Sequence, residues 1–194
     1  MKPLVKWSGG KREEIQLFKS FIPLTYDTYI EPFFGGGAVY FNIGPEKAVI
    51  NDIHPGLMNF YKNVKEGKGK EICKFVKETG VSEETYYYIR DTFPTLTSLD
   101  EAKRFYYLRK TCYRGMMRYN KKGKFNIPFG RYKTINCDDL LNDDYFNLLK
   151  GTEILNKSFE EVFKAYDKQG NFMFLDPPYD TKFTDYGYCT FDSE

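Results

Sequence analysis

Tyr29-Ile30-Glu31-Pro32-Phe33-Phe34-Gly35-Gly36-Gly37-Ala38-Val39-Tyr40-Phe41, followed by Ala48-Val49-Ile50-Asn51-Asp52, decides the fold. Tyr29-Ile30-Glu31 reads as a short strand that Pro32 stops, because proline has no N–H for a sheet ladder. Three glycines make a turn, Ala38 to Phe41 opens a helix, and Ala48 to Asn51 is a second buried strand. This βαβ unit favours a parallel sheet with a ligand at the strand ends. The glycines allow a close backbone approach to that ligand. They are not a dinucleotide fingerprint: counted from Gly35, Tyr40 occupies the last glycine position of G-x-G-x-x-G. Gly9-Gly10-Lys11-Arg12 is not a P-loop either, with Val5 at the leading glycine and Arg12 at the closing Ser/Thr. Asp52, 15 positions after Gly37, ends the second strand, where a carboxylate can accept both hydroxyls of a ribose. A plain glycine turn with a helix-capping Asp would look the same.

Toward the C-terminus, the apolar stretch Asn171-Phe172-Met173-Phe174-Leu175 runs directly into Asp176-Pro177-Pro178-Tyr179. A charged residue and two prolines at the end of a buried strand form a stiff, donor-poor corner that is unusual for structure alone. Its physical use is to hold an aromatic amine. The Asp176 carboxylate and the Pro177 carbonyl can accept the two N–H bonds while the Tyr179 ring stacks on the base. Such an amine is a weak nucleophile because its lone pair is conjugated into the ring. Positioning and polarising it beside a methyl sulfonium is the chemistry required.

Between these two ends the charge is uneven. The 194-residue chain has a formal net charge of +2, yet Ala102 to Cys137 holds eleven Lys and Arg and no acid. Arg114, Arg118, Lys121, Lys122, Lys124, Arg131 and five other cations alternate there with eight aromatic residues, Tyr132 among them. A solvated basic face would give the same charge, but aromatic interleaving favours a nucleic-acid surface. Asn120-Lys121-Lys122-Gly123-Lys124 predicts a hairpin turn with Phe125-Asn126-Ile127 as its return strand.

The remaining pattern is mostly helical. Ile15, Phe18, Phe21 and Ile22 predict an amphipathic helix, as do Leu57 to Val64, Ile72 to Val76, and Leu140 to Leu149. Asp100 is the predicted cap of a long helix through Tyr113. Glu153-Ile154-Leu155 is a further short strand. The Tyr86-Tyr87-Tyr88 run reads as packing, and His54 as a structural or loop residue. The outcome is an α/β core, residues 1–54 and 151–194, with a helical and hairpin insertion over 55–150.

Composition narrows the class. Hydrophobic residues make up 41% and charged residues 29%, a globular mixture. The longest uncharged run, Pro32 to Pro45, is too short to cross a bilayer, and Met1 to Trp7 lacks a signal-peptide stretch. Four dispersed cysteines and a single histidine exclude a zinc module and argue against a disulfide scaffold. The expectation is a cytoplasmic protein, with no metal, no membrane association, and cysteines that act as small buried apolar residues.

Taken in order, Lys6-Trp7-Ser8-Gly9-Gly10-Lys11, Glu31-Pro32-Phe33-Phe34-Gly35-Gly36-Gly37, Asn51-Asp52-Ile53, Arg118 through Tyr132, and Asp176-Pro177-Pro178-Tyr179 resemble the Dam-like DNA adenine-N6 methyltransferases with a DPPY tetrapeptide. The resemblance spans almost the whole chain. It implies a Rossmann-like methyltransferase core, S-adenosylmethionine as methyl donor, and duplex DNA as partner, with room for a partner restriction endonuclease. Trp7, Lys11, Phe33, Gly35, Gly37, Asp52, Phe159 and Asp176 would contact the donor, with Phe159 walling its adenine. Asp176, Pro177 and Tyr179 would grip a flipped-out adenine. Arg114, Arg118, Lys121, Lys122, Lys124, Pro128, Arg131 and Tyr132 would meet DNA, the arginines at base edges or phosphates and the lysines at phosphates.

Two departures qualify the resemblance. Family members usually continue for several tens of residues beyond the tetrapeptide, so the last strands of the core are expected to be missing. Arg114-Gly115-Met116-Met117 stands where the family often has an Asn-Gly-Leu type run, which suggests a target other than GATC. The alternatives are a truncated, inactive DNA-binding module and an RNA or protein amino-methyltransferase. Asp176 counts against the last, whose families more often carry Asn at that position.

Overall fold

The computed structural model describes residues 1–7, 9–11 and 14–178. Within them, four strands form one all-parallel sheet in the order β3-β2-β1-β4: β1 (Tyr29–Glu31), β2 (Ala48–Asn51), β3 (Thr152–Leu155) and β4 (Phe172–Met173). The chain steps outward from β1 to β2 to β3, then returns to place β4 on the free side of β1. That reversal puts a topological switch point between β1 and β4, where open parallel sheets bind ligands beyond the carboxyl ends of the strands. Pairing of Tyr29 with Phe172 and Ile30 with Met173 fixes the register there.

Alternation along the strands sends side chains to two cores. Tyr29 and Ile50 join the main core, which Leu4, Phe34, Tyr40 and Phe41 share with the helices between β2 and β3. Ile30 and Val49 point to the other face, where Val162 of α8 (Phe159–Tyr166) covers them. Helix α2 (Ala38–Ile43) follows the glycine turn and ends at Gly44, whose left-handed φ of 66° glycine adopts at no steric cost.

Five helices lie between β2 and β3: α3 (Pro55–Lys65), α4 (Gly69–Thr79), α5 (Glu83–Asp91), α6 (Ser98–Thr111) and α7 (Asp143–Lys150). Phe60 of α3 stacks on Tyr106 of α6 with ring centres 5.3 Å apart, a contact that adds to plain area burial. Sequence spacing finds α3, α4 and α7 closely. It places the start of α6 too late: Thr97 is the N-cap, and Asp100 sits three residues inside as the reciprocal half of a capping box.

Four other expectations are corrected. The first helix, α1 (Ile15–Phe18), is a single turn continued by a 3₁₀ turn, and Phe21 is 83% exposed. Between Tyr119 and Phe125 there is one antiparallel bridge instead of a paired return strand. The Tyr86–Tyr88 run packs only in part: Tyr86 is buried and donates to the Ile127 carbonyl, while Tyr88 is half exposed. Cys73 and Cys137, 64 positions apart, are paired through their sulfurs inside the core; Cys112 keeps the expected form of a buried free thiol, and Cys189 lies outside the described residues. No helix among the described residues is long and apolar enough to cross a membrane.

Candidate active site

Because β1 and β4 are parallel neighbours, the segments that leave them project from the same sheet edge. Phe33 to Gly37 and Asp176 to Pro178, remote in sequence, therefore line one cleft of about 380 Å³. That volume suits a nucleoside-sized ligand. Trp7, Lys11, Phe33, Gly35, Gly37, Asp52, Phe159, Asp176 and Pro177 all face it. Tyr179 lies outside the described residues. Further lining residues, Glu31, Asn51, His54, Ser158 and Phe174 among them, escaped the sequence reading of the site.

The glycine turn is shaped by its neighbours. Gly35 has a φ of 52°, and a Cβ there would come within 2.9 Å of the Trp7 ring. Its N–H donates to Oδ2 of Asp52 at 2.8 Å, while Oδ1 of Asp52 accepts from the His54 N–H at 2.9 Å. One carboxylate thus ties the β1 turn to the β2 end. Burial raises the Asp52 carboxyl, and these two donors pull it back down. Asn51 braces the same region: its Nδ2 donates to the carbonyls of Pro32 and Lys157, and its Oδ1 accepts from the Lys157 N–H. Phe33 and Phe159 lie 5.4 Å apart and form an apolar wall.

Four carboxyls line this cleft, those of Glu31, Asp52, Glu160 and Asp176. Glu31 is buried at the end of β1 and accepts from the Tyr29 hydroxyl at 2.7 Å. Desolvation pushes its carboxyl up to about 8, so it is mainly neutral at pH 7. Burial also raises the Asp176 carboxyl, and Lys11, 3.3 Å away, opposes that shift.

His54 is structural in a specific sense. It is the N-cap of α3, its Nδ1 accepts from the Leu57 N–H at 3.1 Å, and its ring meets the edge of Trp7. Burial holds it neutral, at about 4. Its Nε2 lies 2.9 Å from the Tyr119 hydroxyl on the turn-forming basic segment. A second cleft of about 750 Å³ runs from His54 past Arg104 and Phe105 to Tyr119 and Lys124.

The basic stretch is smaller at the surface than its charge suggests. Arg109 is 1% exposed, donates to the carbonyls of Met116 and Lys6, and packs over the Trp7 ring. Arg104 donates to the carbonyls of Ile89 and Arg90. Arg114, Arg118, Lys121, Lys122, Lys124, Pro128 and Arg131 are exposed, and Tyr132 packs beneath Lys6. Arg118 Nε donates to Asn126 across the turn. Arg114 and Arg131 are the non-glycine residues with positive φ among those described, at 52° and 57°. Strained conformations at exposed cations point to function.

Residues 7–194 match the family model of the D12 class N6 adenine-specific DNA methyltransferases. The chain belongs to that family. It is 53% identical over 196 residues to the type II methyltransferase M.CviBI of Paramecium bursaria Chlorella virus NC1A, covering all of this chain and 75% of that protein. It is 38% identical to the type II methyltransferase M.MjaIII of Methanocaldococcus jannaschii, over 92% of this chain and 69% of the relative. A DNA adenine methylase of Haemophilus influenzae is 32% identical over 95% of the chain and 68% of its own length. Family membership favours DNA over the RNA and protein alternatives.

Proposed function

We propose that the cleft takes S-adenosylmethionine and that the Asp176 corner presents to it an adenine flipped out of duplex DNA. The observation that carries this reading is the shared cleft of Gly35–Gly37 and Asp176–Pro178 at the switch point. The residues present fit the donor: an aromatic wall at Phe33 and Phe159, and a strand-end carboxylate at Asp52. When bound, the donor supplies an electrophilic methyl group on a positively charged sulfur.

The chain's own work is to hold and orient. Asp52 accepts the ribose hydroxyls, with Gly35 N–H and His54 N–H fixing its carboxylate. Trp7 and Gly37 shape the floor of the cleft, and Lys11 holds Asp176 ionised and in place. Asp176 and the Pro177 carbonyl accept the two N–H bonds of adenine N6, which turns the nitrogen lone pair toward the methyl group. Tyr179 stacks on the base. No covalent enzyme intermediate would be needed: the N6–methyl bond would form as the sulfur–methyl bond breaks, leaving neutral S-adenosylhomocysteine, and one N6 proton would be lost to the surroundings.

We assign the core to residues 1–54 and 151–194 and the DNA-reading region to 55–150. Within it, Arg114, Arg118 and Arg131 serve base edges or phosphates. Lys121, Lys122 and Lys124 serve phosphates, while Pro128 and Tyr132 contribute contact area. The setting is cytoplasmic, and relatives named as type II methyltransferases favour a partner restriction endonuclease. No step calls for a metal.

The test is radiolabelled methyl transfer from S-adenosylmethionine to duplexes of random sequence, followed by mapping of the modified adenines. Asp176→Ala is expected to abolish transfer and leave duplex binding nearly intact. Unchanged turnover in that variant removes its assigned role.

A further inference from the structure

A chain of contacts joins the basic segment to the glycine turn, and its Tyr119–His54 link has no part in the roles assigned above. Tyr119 follows Arg118 in that segment and sits beside the turn at Asn120 to Lys124. Its hydroxyl meets His54 Nε2 at 2.9 Å. The direction of this bond follows from the other ring nitrogen. The Leu57 N–H can donate only to an unprotonated Nδ1, so the proton of the neutral ring is on Nε2 and Tyr119 accepts. His54 then passes the constraint on through its backbone: its N–H holds Oδ1 of Asp52, whose Oδ2 holds the Gly35 N–H.

Each link is short, and the His54 end of the chain is buried. Displacing Tyr119 would therefore release one hydrogen bond of a ring that also caps α3 and packs on Trp7. DNA that holds the segment seated would keep Tyr119 on this ring and so stabilise it. Linkage requires the reverse effect to be equal.

We propose that the Tyr119–His54 hydrogen bond makes His54 a positioning residue through which target DNA tightens the methyl-donor cleft. The proposal rests on the functional reading above, since it presumes that the cleft takes the donor and the basic segment takes DNA. Tyr119 reads no base in this role. It reports that the segment is seated.

The experiment measures coupling instead of activity. Titrations with S-adenosylhomocysteine, which has no methyl to transfer, are run with and without a duplex carrying the sequence found by methylation mapping. Wild-type protein is expected to bind it at least about 5-fold tighter with that duplex present. In Tyr119→Phe, which loses only the hydroxyl, the ratio is expected to fall below about 2-fold. His54→Asn retains a good N-cap acceptor but cannot span to Tyr119, so it should lower the ratio similarly. The double variant should lower it no further, as expected for two ends of one bond. An undiminished ratio in Tyr119→Phe, or no coupling in wild-type protein that methylates DNA, overturns the proposal alone. Wild-type protein that binds neither ligand overturns the functional reading as well.

Discussion

Lys11 Nζ lies 3.3 Å from Asp176 Oδ1, joining the loop before α1 to the corner after β4 across the mouth of the cleft. Burial favours the neutral carboxylic acid at Asp176, and the Lys11 cation favours the carboxylate. Only the carboxylate can accept an amine proton without donating one back. Removing the cation with Lys11→Met raises the Asp176 carboxyl further. The acid limb of the kcat profile should therefore move to higher pH, and a pH–rate series on the two proteins checks this. An acid limb that stays in place shows that Lys11 does not hold Asp176 ionised.

Glu31 predicts a stability effect of defined sign. Its carboxyl lies at about 8 in the fold against an ordinary value of 4.5, so folding favours its protonated form. The associated stability is complete below pH 4.5 and is lost as pH rises through about 8. Glu31→Gln keeps the shape without the proton. Thermal unfolding of donor-free protein between pH 6 and 9 should show a smaller decline in the variant than in the parent. Equal slopes would mean that Glu31 is ionised in the fold.

The positive φ angles at Arg114 and Arg131 predict a trade-off between stability and binding. Asparagine tolerates that conformation better than arginine, which carries strain on the order of 1 kcal/mol there. Arg131→Asn should leave the melting temperature unchanged or slightly higher while weakening duplex binding. If Arg131 meets a phosphate, the slope of log affinity against log salt should shrink by about 1. A base contact would show instead as relaxed site choice. Full affinity with unaltered site choice would remove Arg131 from the DNA surface.

Gly35→Ala tests the cleft floor. At a φ of 52° an added Cβ meets the Trp7 ring at 2.9 Å, so either the turn or the ring must move. An L residue in this region costs about 1–2 kcal/mol, and each 1.4 kcal/mol is tenfold in affinity. Loss of donor affinity by about tenfold is expected in titration calorimetry, with duplex binding retained. Donor affinity within twofold of the parent would show that the turn does not touch the ligand.

Much of the site could be read from local pattern. Pro32 stopping a strand, three glycines in a row, and Asp176 at the end of an apolar stretch each carry their conformational meaning within a few residues. Helix α8 was legible but missed, although Ser158 and Glu161 spell its capping box. Arg109 was not legible. Its burial against the Lys6 and Met116 carbonyls depends on two segments that meet only after folding. The same holds for the sulfur pairing of Cys73 with Cys137.

The order of residues by itself determined the βαβ unit, the acid-free stretch from Ala102 to Cys137 and the chemical character of the two loops that face each other, because these depend on neighbours in the chain. Tertiary structure decided which of those loops share a cleft, through the return of β4 to the edge of β1. It also decided that Glu31 is neutral and that His54 reaches Tyr119. Desolvation and contact between distant segments arise only when the chain closes on itself, so no local spacing encodes them.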